Sequence, residues 1–139
     1  MRKIDSIVIH CAATPEGKHF TVDDIRRWHL ARGFTDCGYH FVITLDGEIQ
    51  IGRPIDQIGA HCTQQRMNHV SIGICLIGGC AADGKTPKDT RTEAQKVALK
   101  SLVRRLRKQY AIPENRVFGH RDFAPKACPS FDVHAESWD

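Results

Sequence analysis

The chain has 139 residues, of which 41% are apolar and 26% charged, with a net charge of +4; this suits one domain, residues 1–139, with a core of its own, and no repeat or low-complexity stretch interrupts it. No run approaches the roughly 20 apolar residues of a membrane span, and the apolar segment that follows Met1-Arg2-Lys3, Ile7-Val8-Ile9, is cut by His10 too early for a signal-peptide core. The charge allows a weak attraction to anionic polymers, but no nucleic-acid partner is expected.

Ile4 to His10 reads as a short buried strand of β-branched residues that ends on a histidine. A polar loop, Ala12 to Phe20, follows. Thr21 with Asp24 three residues on has the form of a capping box, and it opens a helix to about Ala31 with Ile25, Trp28 and His29 at helical spacing and Gly33 beyond its end. His40 to Leu45 and Glu48 to Ile51 are β-rich runs joined by Asp46-Gly47, a strong hairpin signal. Ser71 to Ile77 is a nearly continuous apolar run, the pattern of a central strand covered on both faces, and Gly78-Gly79 ends it.

Residues 81–91 are polar and contain Asp83-Gly84 and Pro87, which marks a loop. Thr92 with Gln95 caps a long helix to about Tyr110. Its inner stripe is expected to be Ala94, Val97, Ala98, Ser101, Leu102 and Leu106; Lys96, Lys100, Arg104, Arg107 and Lys108 form a solvated outer face. Arg116 to His120 is the last strand, followed by a proline-punctuated loop to Pro129. Together these elements predict an α/β domain with a single mixed sheet flanked by helices. The six cysteines (Cys11, Cys37, Cys62, Cys75, Cys80 and Cys128) show no compact disulfide framework and are expected to be reduced thiols.

Three residues stand out chemically. His10 and His120 each close a predicted strand, and Cys128 lies in the loop after the last one, the places where α/β domains build sites. Two imidazoles and a thiolate make a plausible three-ligand zinc set with a fourth position open. Spacing alone leaves a bland alternative, histidines satisfied in the core or at the surface. Cys11 follows a candidate ligand directly, and β-alternation points it to the opposite face.

Five segments in order carry a resemblance: His10-Cys11-Ala12-Ala13-Thr14, Ile25-Arg26-Arg27-Trp28-His29, Gly38-Tyr39-His40-Phe41, Ser71-Ile72-Gly73-Ile74-Cys75-Leu76-Ile77-Gly78-Gly79, and Ala124-Pro125-Lys126-Ala127-Cys128-Pro129-Ser130-Phe131-Asp132. From about Ile4 to Asp132 the chain resembles the zinc-dependent N-acetylmuramoyl-L-alanine amidases, the family of the T-odd bacteriophage lysozymes, related to the peptidoglycan recognition proteins. The resemblance implies hydrolysis of the amide between N-acetylmuramic acid and L-alanine in peptidoglycan. It implies zinc as cofactor, held by His10, His120 and Cys128, and essential non-ligand roles for Tyr39 and Lys126. Zinc makes hydroxide available at neutral pH, and Lys126 would share the stabilisation of the oxyanion. Tyr39 would orient water or pass a proton. His40, Arg53, His61 and Asn68 resemble positions that line the substrate groove, whereas His19, His29 and His134 have only surface or packing roles.

The chain departs from the recognition proteins at Arg66-Met67, where an aromatic often precedes the groove asparagine, so no stem-peptide preference is inferred. It also lacks their cysteine pair around the first helix, which makes it closer to the phage-type enzymes. The short tail after Asp132 leads to the expectation of no separate wall-binding module, with specificity residing in the groove. Two other readings remain: a peptidoglycan-binding recognition protein without catalysis, and a structural zinc site on a nucleic-acid-binding domain, which would usually need a fourth ligand. The expected working form is a monomer, made in the cytoplasm without a signal peptide and acting on the wall after release or export by another factor.

Overall fold

A computed structural model describes all 139 residues. The chain runs through β1 (Ser6–Cys11), β2 (Thr14–Pro15), α1 (Val22–Ala31), β3 (Phe41–Ile43), β4 (Ile49–Ile51), β5 (Ser71–Leu76), β6 (Gly79–Cys80), α2 (Glu93–Tyr110) and β7 (Val117–Gly119), with short 3-10 turns between them. Five strands form one mixed sheet in the order β4-β3-β5-β1-β7. β1 runs parallel to β5 and β7, β3 runs parallel to β5, and β4 pairs antiparallel with β3 through the Asp46-Gly47 turn. β2 and β6 form a separate two-stranded ladder that the sequence pattern did not reveal. Each of its strands has only two residues, too short for any periodicity to register.

The central run Ser71–Leu76 is buried throughout, as a strand with parallel partners on both edges and cover on both faces must be. Side-chain alternation then sorts the molecule into layers. Ile7, Ile9, Ile72, Ile74 and Leu76 face one way and pack against Leu99, Leu102, Val103 and Leu106 of α2. On the opposite face Val42 and Cys75 pack with Val22 and Ile25 of α1. β1 pairs Val8 with Gly73 and His10 with Cys75, so the period of two carries His10 to the α1 side.

Both helices start where their caps predict. Thr21 and Asp24 form a capping box at α1, and at α2 the Thr92 Oγ1 accepts from the Gln95 N–H while Gln95 Oε1 accepts from the Thr92 N–H. The inner stripe of α2 differs from the expected one. Leu102 and Leu106 are buried, but Gln95, Leu99 and Val103 join them, and Val97 is 70% exposed, with Ala94 and Ser101 also facing out. The larger side chains set the rotation of the helix, because burying leucine removes far more apolar area than burying alanine or serine. Gln95 is tolerated inside because its Nε2–H group donates to the carbonyls of Ile43 (3.3 Å) and Ile77 (2.9 Å), so no polar group is left unpaired. Of the basic residues, Lys96, Lys100 and Arg104 are exposed as expected, whereas Arg107 is half-buried and donates to the Ile112 and Trp138 carbonyls.

Candidate metal centre

His10, His120 and Cys128 converge. One donor atom from each lies within 4.8 Å of the others, although His10 and Cys128 are 118 residues apart. His10 sits near the C-terminal end of β1 and is fully buried. His120 begins the turn that follows β7, braced by Asp122, whose carboxylate accepts the Gly119 N–H at 2.9 Å and lies 2.8 Å from His134 Nε2. β1 and β7 are adjacent and parallel, so both histidines emerge at the same sheet end; their ring centroids are 4.6 Å apart.

Cys128 comes from the loop beyond. That loop is pinned by the Arg121 N–H donating to the Cys128 carbonyl at 2.8 Å and by the Ser130 hydroxyl donating to the Gly79 carbonyl at 2.8 Å. The Cys128 Sγ stands 3.9 Å from His10 Nδ1 and accepts the Cys11 N–H at 3.3 Å, a contact that favours the thiolate.

Electrostatics keep the imidazoles in the ligating form. Burial first, then the neighbouring His61, His120 and Lys126, hold His10 well below its ordinary value, and burial followed by Lys126 lowers His120. Both are neutral at pH 7. Hydrogen bonding within the Cys11–Cys128 thiol pair draws Cys11 down to about 7 and pushes Cys128 up. A cation held by the cluster would reverse that order, since a coordinating thiol is deprotonated outright. Cys11 is therefore closer to the site than strand alternation implies. It ends β1, where the pleat gives way to the loop, and its Sγ lies 3.8 Å from Ser130 Oγ.

The cluster opens into a cleft of about 350 Å³ whose walls include Tyr39, His61 and Lys126. The ring of Tyr39 is 5.0 Å from that of His10, and burial raises its phenol well above the ordinary value. Lys126 is exposed on the Cys128 loop at the cleft wall. A wider depression of about 580 Å³ along α2 is lined by Lys96, Val97, Lys100, Ser101 and Arg104. It holds no acid, base or nucleophile set.

Of the four residues expected in the groove, only His61 lines the cleft. His40 is instead a core residue with no exposure: its Nδ1 accepts the Gly73 N–H at 3.0 Å, its Nε2 pairs with the Gln57 carbonyl at 2.8 Å, and burial takes it down to about 4. Arg53 spends its guanidinium on the Cys37 and Ile58 carbonyls. Asn68 Oδ1 accepts the N–H groups of His61 and Cys62 at 2.9 and 2.8 Å and so braces the loop that carries His61. Conversely, His29, Arg32 and Phe34 line the cleft without having been singled out for it. His29 Nδ1 accepts the Gly38 N–H at 2.8 Å and so fixes the segment leading to Tyr39. No local signal marks these three, because a helix end and the following turn reach the site only through packing.

Comparison with known proteins agrees with this fold. The profile of the N-acetylmuramoyl-L-alanine amidase family matches residues 1–131. The endolysin of Klebsiella phage KP32 is 42% identical over 132 residues, covering 95% of this chain and 84% of the phage protein. Among solved structures, the N-acetylmuramoyl-L-alanine amidase LysC from Clostridium intestinale superposes with a TM-score of 0.79 at 27% identity, covering 96% of this chain and 85% of that one. The Drosophila recognition protein PGRP-LB superposes with a TM-score of 0.77 at 29% identity, over 97% and 79%.

Proposed function

The chain belongs to the N-acetylmuramoyl-L-alanine amidase family, and from that membership we propose that His10, His120 and Cys128 hold a catalytic zinc ion, with Tyr39 and Lys126 as the reacting residues beside it. The protein is a phage-endolysin-like amidase that hydrolyses the amide joining N-acetylmuramic acid to L-alanine in peptidoglycan. The single observation that supports the zinc assignment is the meeting of two neutral imidazoles and a thiol whose donor atoms fall within 4.8 Å. The donor set suits the metal: catalytic zinc takes three nitrogen or sulfur ligands and keeps one position open, whereas a structural site closes with four. The cluster has three members, which weighs against a purely structural role.

Zinc bound there would supply Lewis acidity, which lowers the pKa of water towards about 7 and polarises a carbonyl. The chain's own residues do the rest. His10 and His120, held neutral, keep lone pairs available. Lys126 places an ammonium at the cleft wall, where negative charge develops on the carbonyl oxygen as the amide carbon becomes tetrahedral. Burial favours the protonated form of Tyr39, which suits it to donate a hydrogen bond or a proton. When the C–N bond breaks, the acyl carbon keeps the oxygen of water and the departing L-alanine amine takes up a proton. Arg32 adds a second cation to the cleft, suited to the carboxylates of a peptide.

We place the working unit as a single chain, since one chain supplies every ligand, and its site of action at the wall after release or export by another factor. No helix is long and apolar enough to cross a membrane. The test is mass spectrometry of purified cell walls digested by the protein. The expected products are peptide stems with a new L-alanine amine and glycan strands with free lactyl carboxylates, and their release stops when a chelator strips the metal. Cleavage between sugars or within the stem, or release that continues after stripping, contradicts the proposal; so does wall binding with no product.

A further inference from the structure

We infer that His61 and Ser71 are positioning residues for the metal site: the Met67 carbonyl fixes the protons along Ser71 and His61 so that His10 keeps its hydrogen on Nε2 and offers a bare Nδ1 to the metal. This deepens the zinc reading and rests on it. The Met67 carbonyl has no choice of role. A carbonyl only accepts hydrogen bonds, and Ser71 Oγ lies 2.6 Å from the Met67 oxygen. Two oxygens at that separation need a hydrogen between them, so the Ser71 hydroxyl donates to Met67.

Ser71 Oγ is then left with lone pairs for His61 Nε2, 3.3 Å away, and His61 must carry its hydrogen on Nε2. In a neutral imidazole the other nitrogen is an acceptor, and a buried ring between two further histidines takes the neutral form. His61 Nδ1 therefore accepts from His10 Nε2–H across 2.8 Å. What remains on His10 is the Nδ1 lone pair, the nitrogen that stands 3.9 Å from Cys128 Sγ.

The seat of His61 is built for this. A Cβ at Gly73 or at Gly59 would overlap the His61 ring, so glycine on either side lets the imidazole lie against β5. Asn68 clamps its backbone from behind. The other two ligands have outer partners of the same kind, the Cys11 N–H on Cys128 and, at a longer 3.5 Å, the Gln64 Oε1 beside His120 Nε2. Groups that hold the far side of a metal ligand typically contribute about 10–100-fold in metal affinity.

Imidazole 15N NMR on protein stripped by a chelator, and then loaded with zinc, tests this directly. The expected result is hydrogen on Nε2 of both His10 and His61 in either form, with zinc shifting Nδ1 of His10. Hydrogen on Nδ1 of His10 in the stripped protein, or a zinc shift at its Nε2, overturns the inference. Zinc affinity, measured by competition with a chromogenic chelator, supplies the second arm. His61→Phe is expected to bind about 10–100-fold more weakly, and His61→Asn, whose side-chain oxygen takes the place of Nδ1, restores most of the loss. Equal zinc affinity in the His61→Phe and unmodified chains overturns it as well. If the unmodified chain takes up no zinc, the zinc reading fails instead, while the tautomers of the stripped protein still decide the roles of His61 and Ser71.

Discussion

Replacing Cys128 with serine is expected to remove both the metal and the activity. A thiolate is a strong, soft ligand for zinc, whereas a serine hydroxyl stays protonated at neutral pH and offers only a weak neutral oxygen. With one of three ligands lost, the remaining imidazoles cannot keep zinc through dialysis. The variant should still fold, because Cys128 is only half-buried and the loop is held by contacts that do not use its sulfur: the Arg121 N–H on its carbonyl and Ser130 on Gly79. Metal content by atomic absorption and turnover on purified walls are the measurements. Near-zero zinc with background turnover is predicted, and a fully loaded, fully active Cys128→Ser protein would remove the sulfur from the ligand set.

The Lys126→Ala variant should show the opposite pairing, with metal retained and chemistry impaired. Lys126 stands at the cleft wall but outside the ligand cluster, so its removal leaves the three donors untouched. Losing one group that stabilises a developing oxyanion typically lowers turnover by about 10²–10³-fold. The fall should lie in kcat rather than KM, because the charge it complements exists only in the transition state. Zinc stoichiometry at the level of the unmodified chain together with unchanged kcat would show that Lys126 is merely a solvated loop residue.

Much of the scaffold was legible from local pattern. The Asp46-Gly47 hairpin, the two capping boxes and the nearly continuous apolar run of β5 each depend on neighbours within a few residues, and each appears where the pattern places it. The rotation of α2 was not legible, because Ala94, Val97 and Ser101 keep helical spacing as faithfully as Gln95, Leu99 and Val103 do. Only packing against the sheet distinguishes the two stripes. Gln95 in particular looks like a surface residue until the carbonyls of Ile43 and Ile77 are brought over it.

The site divides along the same line. Spacing could not bring His10 to Cys128 across 118 residues; strand-end placement singled out the trio, family resemblance assigned it to zinc, and parallel pairing of β1 with β7 supplies the physical reason that two of its members meet. Around the trio, the structure separates roles that the sequence grouped together. His40 and Asn68 carry polar groups that the fold consumes internally, on Gly73 and Gln57 in one case and on the His61 loop in the other. His61, grouped with them from sequence, proves to touch His10 itself. Which polar residue faces a cleft and which one ties down its wall depends on hydrogen-bond partners distant in sequence, and these become visible only in three dimensions.

X-ray absorption at the zinc edge of the reconstituted protein tests the central claim most directly. Two nitrogens at about 2.0–2.1 Å and one sulfur at about 2.3 Å, with a light oxygen-type scatterer completing the shell, are predicted for one zinc per chain. A shell without sulfur, or one closed by four protein ligands, would contradict it.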